Sequence, residues 1–65
     1  MKYVYLTRPS GKVIAVHPNW VSVVEYDEGR KLTKIEIGDG LYFWVTEQMV
    51  EVVARCEANA DSRQV

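Results

Sequence analysis

A chain of 65 residues makes one domain, and at that size the buried fraction of the surface is low, so the fold is marginal alone and a partner surface is expected. Its residues are 48% hydrophobic, and four Tyr, two Trp and one Phe are more rings than so small a core hides, which assigns some of them to an interface. A net charge of −1 argues against a general nucleic-acid binder, because neutralising a phosphate backbone takes a surplus of Lys and Arg.

In chain order, Lys2 to Arg8 alternates Tyr3, Tyr5 and Thr7 on one face with Val4 and Leu6 on the other, the period of a strand. Pro9-Ser10-Gly11 is a tight turn, and Val13 to His17 resumes the alternation with Ile14 and Val16 opposed to Val13, Ala15 and His17, so a hairpin opens the fold. His17-Pro18-Asn19 breaks the ladder, since Pro cannot donate. Trp20 to Tyr26 reads as a third strand, Asp27 to Lys31 as a charged turn, and Leu32 to Ile37 as a fourth strand with Leu32, Ile35 and Ile37 apolar. Gly38-Asp39-Gly40 is a tight turn into a fifth strand, Leu41 to Val45, with Leu41, Phe43 and Val45 opposed to Tyr42 and Trp44. Gly11 and Gly40 are expected at positive φ.

Thr46 reads as a helix N-cap with Glu47 in the first turn, where a carboxylate suits the positive end of the dipole. The helix is expected to run to about Ala58, with Met49, Val50, Val53, Ala54 and Cys56 facing the core and Glu51, Arg55 and Glu57 facing water. From Asn59 onward the apolar period is lost. The expectation is an α+β, mostly β, fold: a five-stranded antiparallel meander or small barrel-like sheet followed by one C-terminal helix, with residues 1–58 one domain and 59–65 a frayed tail.

A lone Cys56 forms no internal disulfide, which fits a reducing compartment; with no signal-peptide pattern and no apolar run of roughly 20 residues, the chain is expected in the cytoplasm without membrane insertion. Residues 1–34 carry six basic and three acidic side chains and residues 35–65 two basic and six acidic, a polarity that reads as two differently solvated faces before it reads as a basis for pairing.

Candidate chemistry is sparse. His17 beside Pro18 reads as a turn histidine, Cys56 as a small buried hydrophobe, and Glu25, Asp27 and Glu28 as a solvated hairpin tip. Gly38-Asp39-Gly40 lacks the Lys and Ser/Thr of a phosphate loop. No catalytic residue, cofactor or metal site is expected. The rings of Tyr3, Tyr5, Tyr42 and Trp44 are the unexplained surplus, read as interface or partial core; with Arg8 and Lys12 as a charged rim they are the candidate partner-binding residues, and a homodimer is the expected assembly if that sheet face pairs with itself.

Leu6-Thr7-Arg8, Gly11-Lys12, the apolar positions to Val16, Val21 to Val24 ending in Glu25, a second hairpin with Gly40, and Val45-Thr46-Glu47 entering a periodic helix form an ordered set of motifs. That order resembles the FlbD/SwrD family of small flagellar and swarming-motility proteins over about residues 3 to 54. The resemblance implies a cytoplasmic, non-enzymatic accessory that supports flagellar motor function through protein contacts. Two other readings stand beside it. The Leu-Thr-Arg start also resembles RNA-binding dimers of the carbon-storage-regulator type, against which the acidic balance weighs. Small size and surplus rings also suit a phage or mobile-element protein that masks a host or defence complex.

Overall fold

The computed structural model describes residues 2–38 and 40–59. Strands β1 (Val4–Thr7), β2 (Val13–Val16), β3 (Val21–Asp27), β4 (Leu32–Ile37) and β5 (Leu41–Val45) are followed by one helix, α1 (Met49–Asn59). The chain is therefore mostly β with a C-terminal helix, and every strand pairing is antiparallel. It is not one meander or a closed barrel: β1 and β2 form a two-stranded sheet, and β3, β4 and β5 form a separate three-stranded sheet in that order.

The division falls where Pro18 interrupts the chain. Residues Pro18–Trp20 form a single 3₁₀ turn with Pro18 buried, and the His17 ring accepts a hydrogen bond from the Asn19 backbone N–H through Nδ1 at 3.3 Å. A proline with fixed φ and no N–H cannot extend a ladder, so β2 does not run on into a hairpin with β3, and Trp20 belongs to the turn rather than to the third strand.

The first hairpin closes as its residues dictate. Pro9 takes the second turn position, the Gly11 N–H donates to the Arg8 carbonyl at 2.8 Å, and Gly11 lies at φ 95°. This is a three-residue connection ending in a left-handed residue, a conformation that costs glycine little. Gly40 also lies at positive φ, 81°.

Alternation sorts the strands correctly. Val4, Leu6, Val16, Ile35, Val45 and Val52 form the buried core, drawn from both sheets and the helix, with Ile14, Val21, Val24, Ile37, Phe43 and Cys56 half-buried against it. Val21 and Val24 both reach the core because a bulge between Val21 and Val23 lets the strand change face, with the Ser22 hydroxyl donating to the Glu36 carbonyl. The two sheets are joined where the Thr46 N–H donates to the Thr7 carbonyl at 2.8 Å.

The helix departs from the sequence expectation at its start and in its rotation. It starts at Met49, so Thr46 is not its cap and Glu47 is not in its first turn; it reaches Asn59, one residue past the expected end at about Ala58, and residues 60–65 lie outside the described residues. Its inner face is centred on Val52, fully buried, with Val53 and Cys56 half-buried, whereas Met49, Val50 and Ala54 are exposed. The run Met49-Val50-Glu51-Val52-Val53 is apolar almost all round, so periodicity alone allows more than one rotation.

Candidate interaction surfaces

On β4, Thr33 and Ile35 point inward, so Lys34 and Glu36 stand on the outer face of the three-stranded sheet. The register sets Lys34 between Glu25 and Trp44, and Glu36 between Val23 and Tyr42. The β5 rings meet edge to face, Tyr42 to Trp44, at 6.2 Å between centroids. Each carries its own cation: the Lys34 ammonium lies 4.6 Å from the Tyr42 ring centre and the Arg30 guanidinium 4.6 Å from that of Trp44.

Arg30 is held in that position by the charged turn. The Asp27 carboxylate accepts from the Arg30 backbone N–H at 3.0 Å and from its guanidinium at 3.2 Å. The backbone N–H of Arg30, and then its side chain, hold the Asp27 carboxyl below its usual value against the opposing effect of desolvation. A recess of about 230 Å³ opens beside Trp44, with Glu25, Asp27, Arg30 and Lys34 among its walls. Glu25, Asp27 and the Arg30-bearing turn, read as a solvated tip, thus also frame an aromatic site.

Tyr42 and Trp44 are not part of the hydrophobic core: Tyr42 is half exposed, and neither ring belongs to the buried cluster or its packed surround. Tyr5, exposed on the outer face of β1, belongs to the other sheet, and Tyr3, also exposed, immediately precedes that strand. The Tyr3 ring meets His17 edge-on at 5.9 Å, and His17 in turn stacks on Trp20 at 5.1 Å. Among the described residues no ring contact joins Tyr3 or Tyr5 to Tyr42 or Trp44, so the structure holds two aromatic groups rather than one four-ring patch. Lys12 is exposed on the first hairpin, while Arg8 lies 5.7 Å from the Phe43 ring, bringing positive charge to β5.

The second aromatic group borders an apolar groove that sequence reasoning did not find. It comprises a recess of about 410 Å³, walled by Tyr3, Ile14, Trp20, Ile37 and Phe43 among others, and a recess of about 460 Å³ bounded by Trp20, Ile37, Gly38 and Leu41, the two sharing Trp20 and Ile37. Trp20 and Leu41, 65% and 63% exposed, are its most accessible members. The available signal was the pairing of an indole with the Pro18 break, which places Trp20 in a turn instead of a half-buried strand.

Thr7 and Glu47, far apart in the sequence, meet in a clasp. The Glu47 carboxylate accepts from the Thr7 backbone N–H at 2.9 and 3.1 Å and from the Thr7 hydroxyl at 2.9 Å, and the Arg55 guanidinium stands 3.8 Å away. The buried Thr33 hydroxyl donates to the Glu47 carbonyl at 2.6 Å. Burial pushes the Glu47 carboxyl up, but Thr7, its own backbone N–H and Arg55 outweigh it and hold the group below the usual carboxylate value. Arg55 also donates to the Tyr5 carbonyl and pairs with Glu51 at 2.6 Å, tying the helix to β1.

Of the remaining candidates, Cys56 is half-buried and desolvation pushes its thiol up, away from the thiolate form that reacts. Among the described residues no group of three or more His, Cys, Asp and Glu side chains is placed to hold a metal ion, and no helix is long and apolar enough to cross a membrane. Compared with known proteins, the chain matches no family model, no curated protein and no solved structure.

Proposed function

We propose that this chain is a non-enzymatic protein-interaction module, of the flagellar-accessory kind its motifs resemble, acting in the cytoplasm through the outer face of the three-stranded sheet. The observation that carries the reading is the Tyr42–Trp44 pair, held edge to face outside the core with a cation over each ring. Rings on a rigid strand give large contact area at small entropic cost, the property of interface anchors. Arg30 and Lys34 set positive charge over the rings, so the partner is a protein whose docking patch is apolar with an acidic margin; Arg8, over the Phe43 ring on the opposite face of β5, and Lys12 on the first hairpin are not beside them.

The test is capture from the native cells by wild type and by Trp44→Ala, followed by titration of the purified partner. The reading expects Trp44→Ala to keep its circular dichroism and weaken the complex about 30-fold, the loss of a strong anchor. Flagellar motor components among the captured proteins support the accessory role. A folded variant with undiminished binding removes the outer sheet face from the mechanism.

A further inference from the structure

We propose that the apolar groove between the two sheets is a homodimer interface, covered by a second copy of this chain. It is a different surface from the outer sheet face and goes beyond the function proposed for that face. Three observations favour a second copy over another occupant.

The first is self-complementarity. A two-fold interface sets the same patch against itself, so it needs a projecting group and a recess side by side on one face. Trp20, 65% exposed, is itself one wall of the recess it bounds with Ile37, Gly38 and Leu41, so the exposed ring and the recess adjoin. The indole of each copy is then placed to enter the recess of the other.

Charge is the second. Among the described residues no Asp, Glu, Lys or Arg lines either recess, although such residues are about a quarter of the chain. The described walls of the two recesses therefore bring no like-charge repulsion between two copies, and a net charge of −1 leaves little long-range opposition to self-association.

Area is the third. Trp20, Leu41 and Tyr3 are each more than half exposed, and Ile14, Ile37 and Phe43 pack on the core yet keep part of their surface open to water. With aromatic side chains carrying 150–250 Å² each, these six groups offer on the order of 500 Å² per copy, which reaches the roughly 1,000 Å² total that a specific interface requires. Covering them also completes a core that the short chain leaves open on one side.

The experiment is sedimentation velocity of the full chain from micromolar to near-millimolar concentration, with Trp20→Glu, Leu41→Lys and Trp44→Ala alongside and circular dichroism as the check on folding. The expected result is a species of twice the 7.5 kDa protomer mass that dissociates on dilution. Trp20→Glu and Leu41→Lys each raise the dissociation constant at least about 30-fold while staying folded, and Trp44→Ala leaves it unchanged. Leu41→Lys serves if loss of the Trp20–His17 stack disturbs the turn. A wild-type monomer throughout the range overturns the proposal, as does a dimer indifferent to both groove variants. A dimer broken by Trp44→Ala alone moves self-association to the outer sheet face and overturns it too. These outcomes are independent of partner binding by Trp44, so the two surfaces succeed or fail separately.

Discussion

At the residue scale, Glu47 is the side chain on which most depends. It sits 12% exposed and takes three hydrogen bonds from Thr7, so replacing it leaves half-buried donors unpaired. Glu47→Gln puts an amide N–H₂ among donors and is expected to cost about 1–2 kcal/mol by urea denaturation. The pH dependence has a definite sign. Because the folded state lowers the carboxyl's pKa, its contribution is present above the unfolded value of about 4.3 and is lost as pH falls through the lower folded value. Wild type should therefore lose stability below about pH 4 more steeply than Glu47→Gln; parallel acid titrations of the two would remove Glu47 as the titrating group. The sequence reading of Glu47 as a first-turn acid was locally reasonable, but a helix dipole offers a weaker set of donors than Thr7. Nothing in local spacing announces a partner 40 residues away.

At the element scale, the turns and the helix make separable predictions. Gly11 and Gly40 lie at φ 95° and 81°, with nothing within 4 Å of where a Cβ would stand. The cost of a side chain there is then purely conformational, about 1 kcal/mol for each Gly→Val replacement. Unchanged melting temperatures for both would contradict the left-handed assignment. The helix rotation is tested by a contrast: Val52→Ala opens a cavity in a fully buried position and should cost about 2 kcal/mol, while Val50→Ala, at 70% exposure, should stay within about 0.5 kcal/mol. The reverse order would restore the stripe read from the sequence. Strands were legible because alternation shows which side chains share a face, and β4 and β5 have the expected bounds. Helix rotation was not, because four of the five residues from Met49 to Val53 are apolar and only tertiary packing chooses among them. The aromatic candidates were legible as surplus, yet their separation into two groups was not: that depends on which strands pair, and Pro18 marks a break without saying where the chain goes after it.

At the scale of the whole molecule, neither sheet is large enough to stand alone. A two-stranded hairpin is marginal in water, and the three-stranded sheet buries only one face. The core solves this by taking Val4, Leu6 and Val16 from one sheet, Ile35 and Val45 from the other, and Val52 from the helix, so that no part has an interior of its own. The clasp of Thr7, Glu47, Thr33 and Arg55 spans the same three parts. The chain should then unfold as one cooperative unit despite its divided sheets. Native-state hydrogen exchange measures this directly: the slowest amides of β1 and of β4 should report opening free energies that agree within about 0.5 kcal/mol. In Glu47→Gln both should fall by the same amount, because the clasp belongs to the common unit. A fall confined to β1 and β2 would instead show that the first hairpin unlatches by itself, and would make the clasp a hinge between two independently opening sheets.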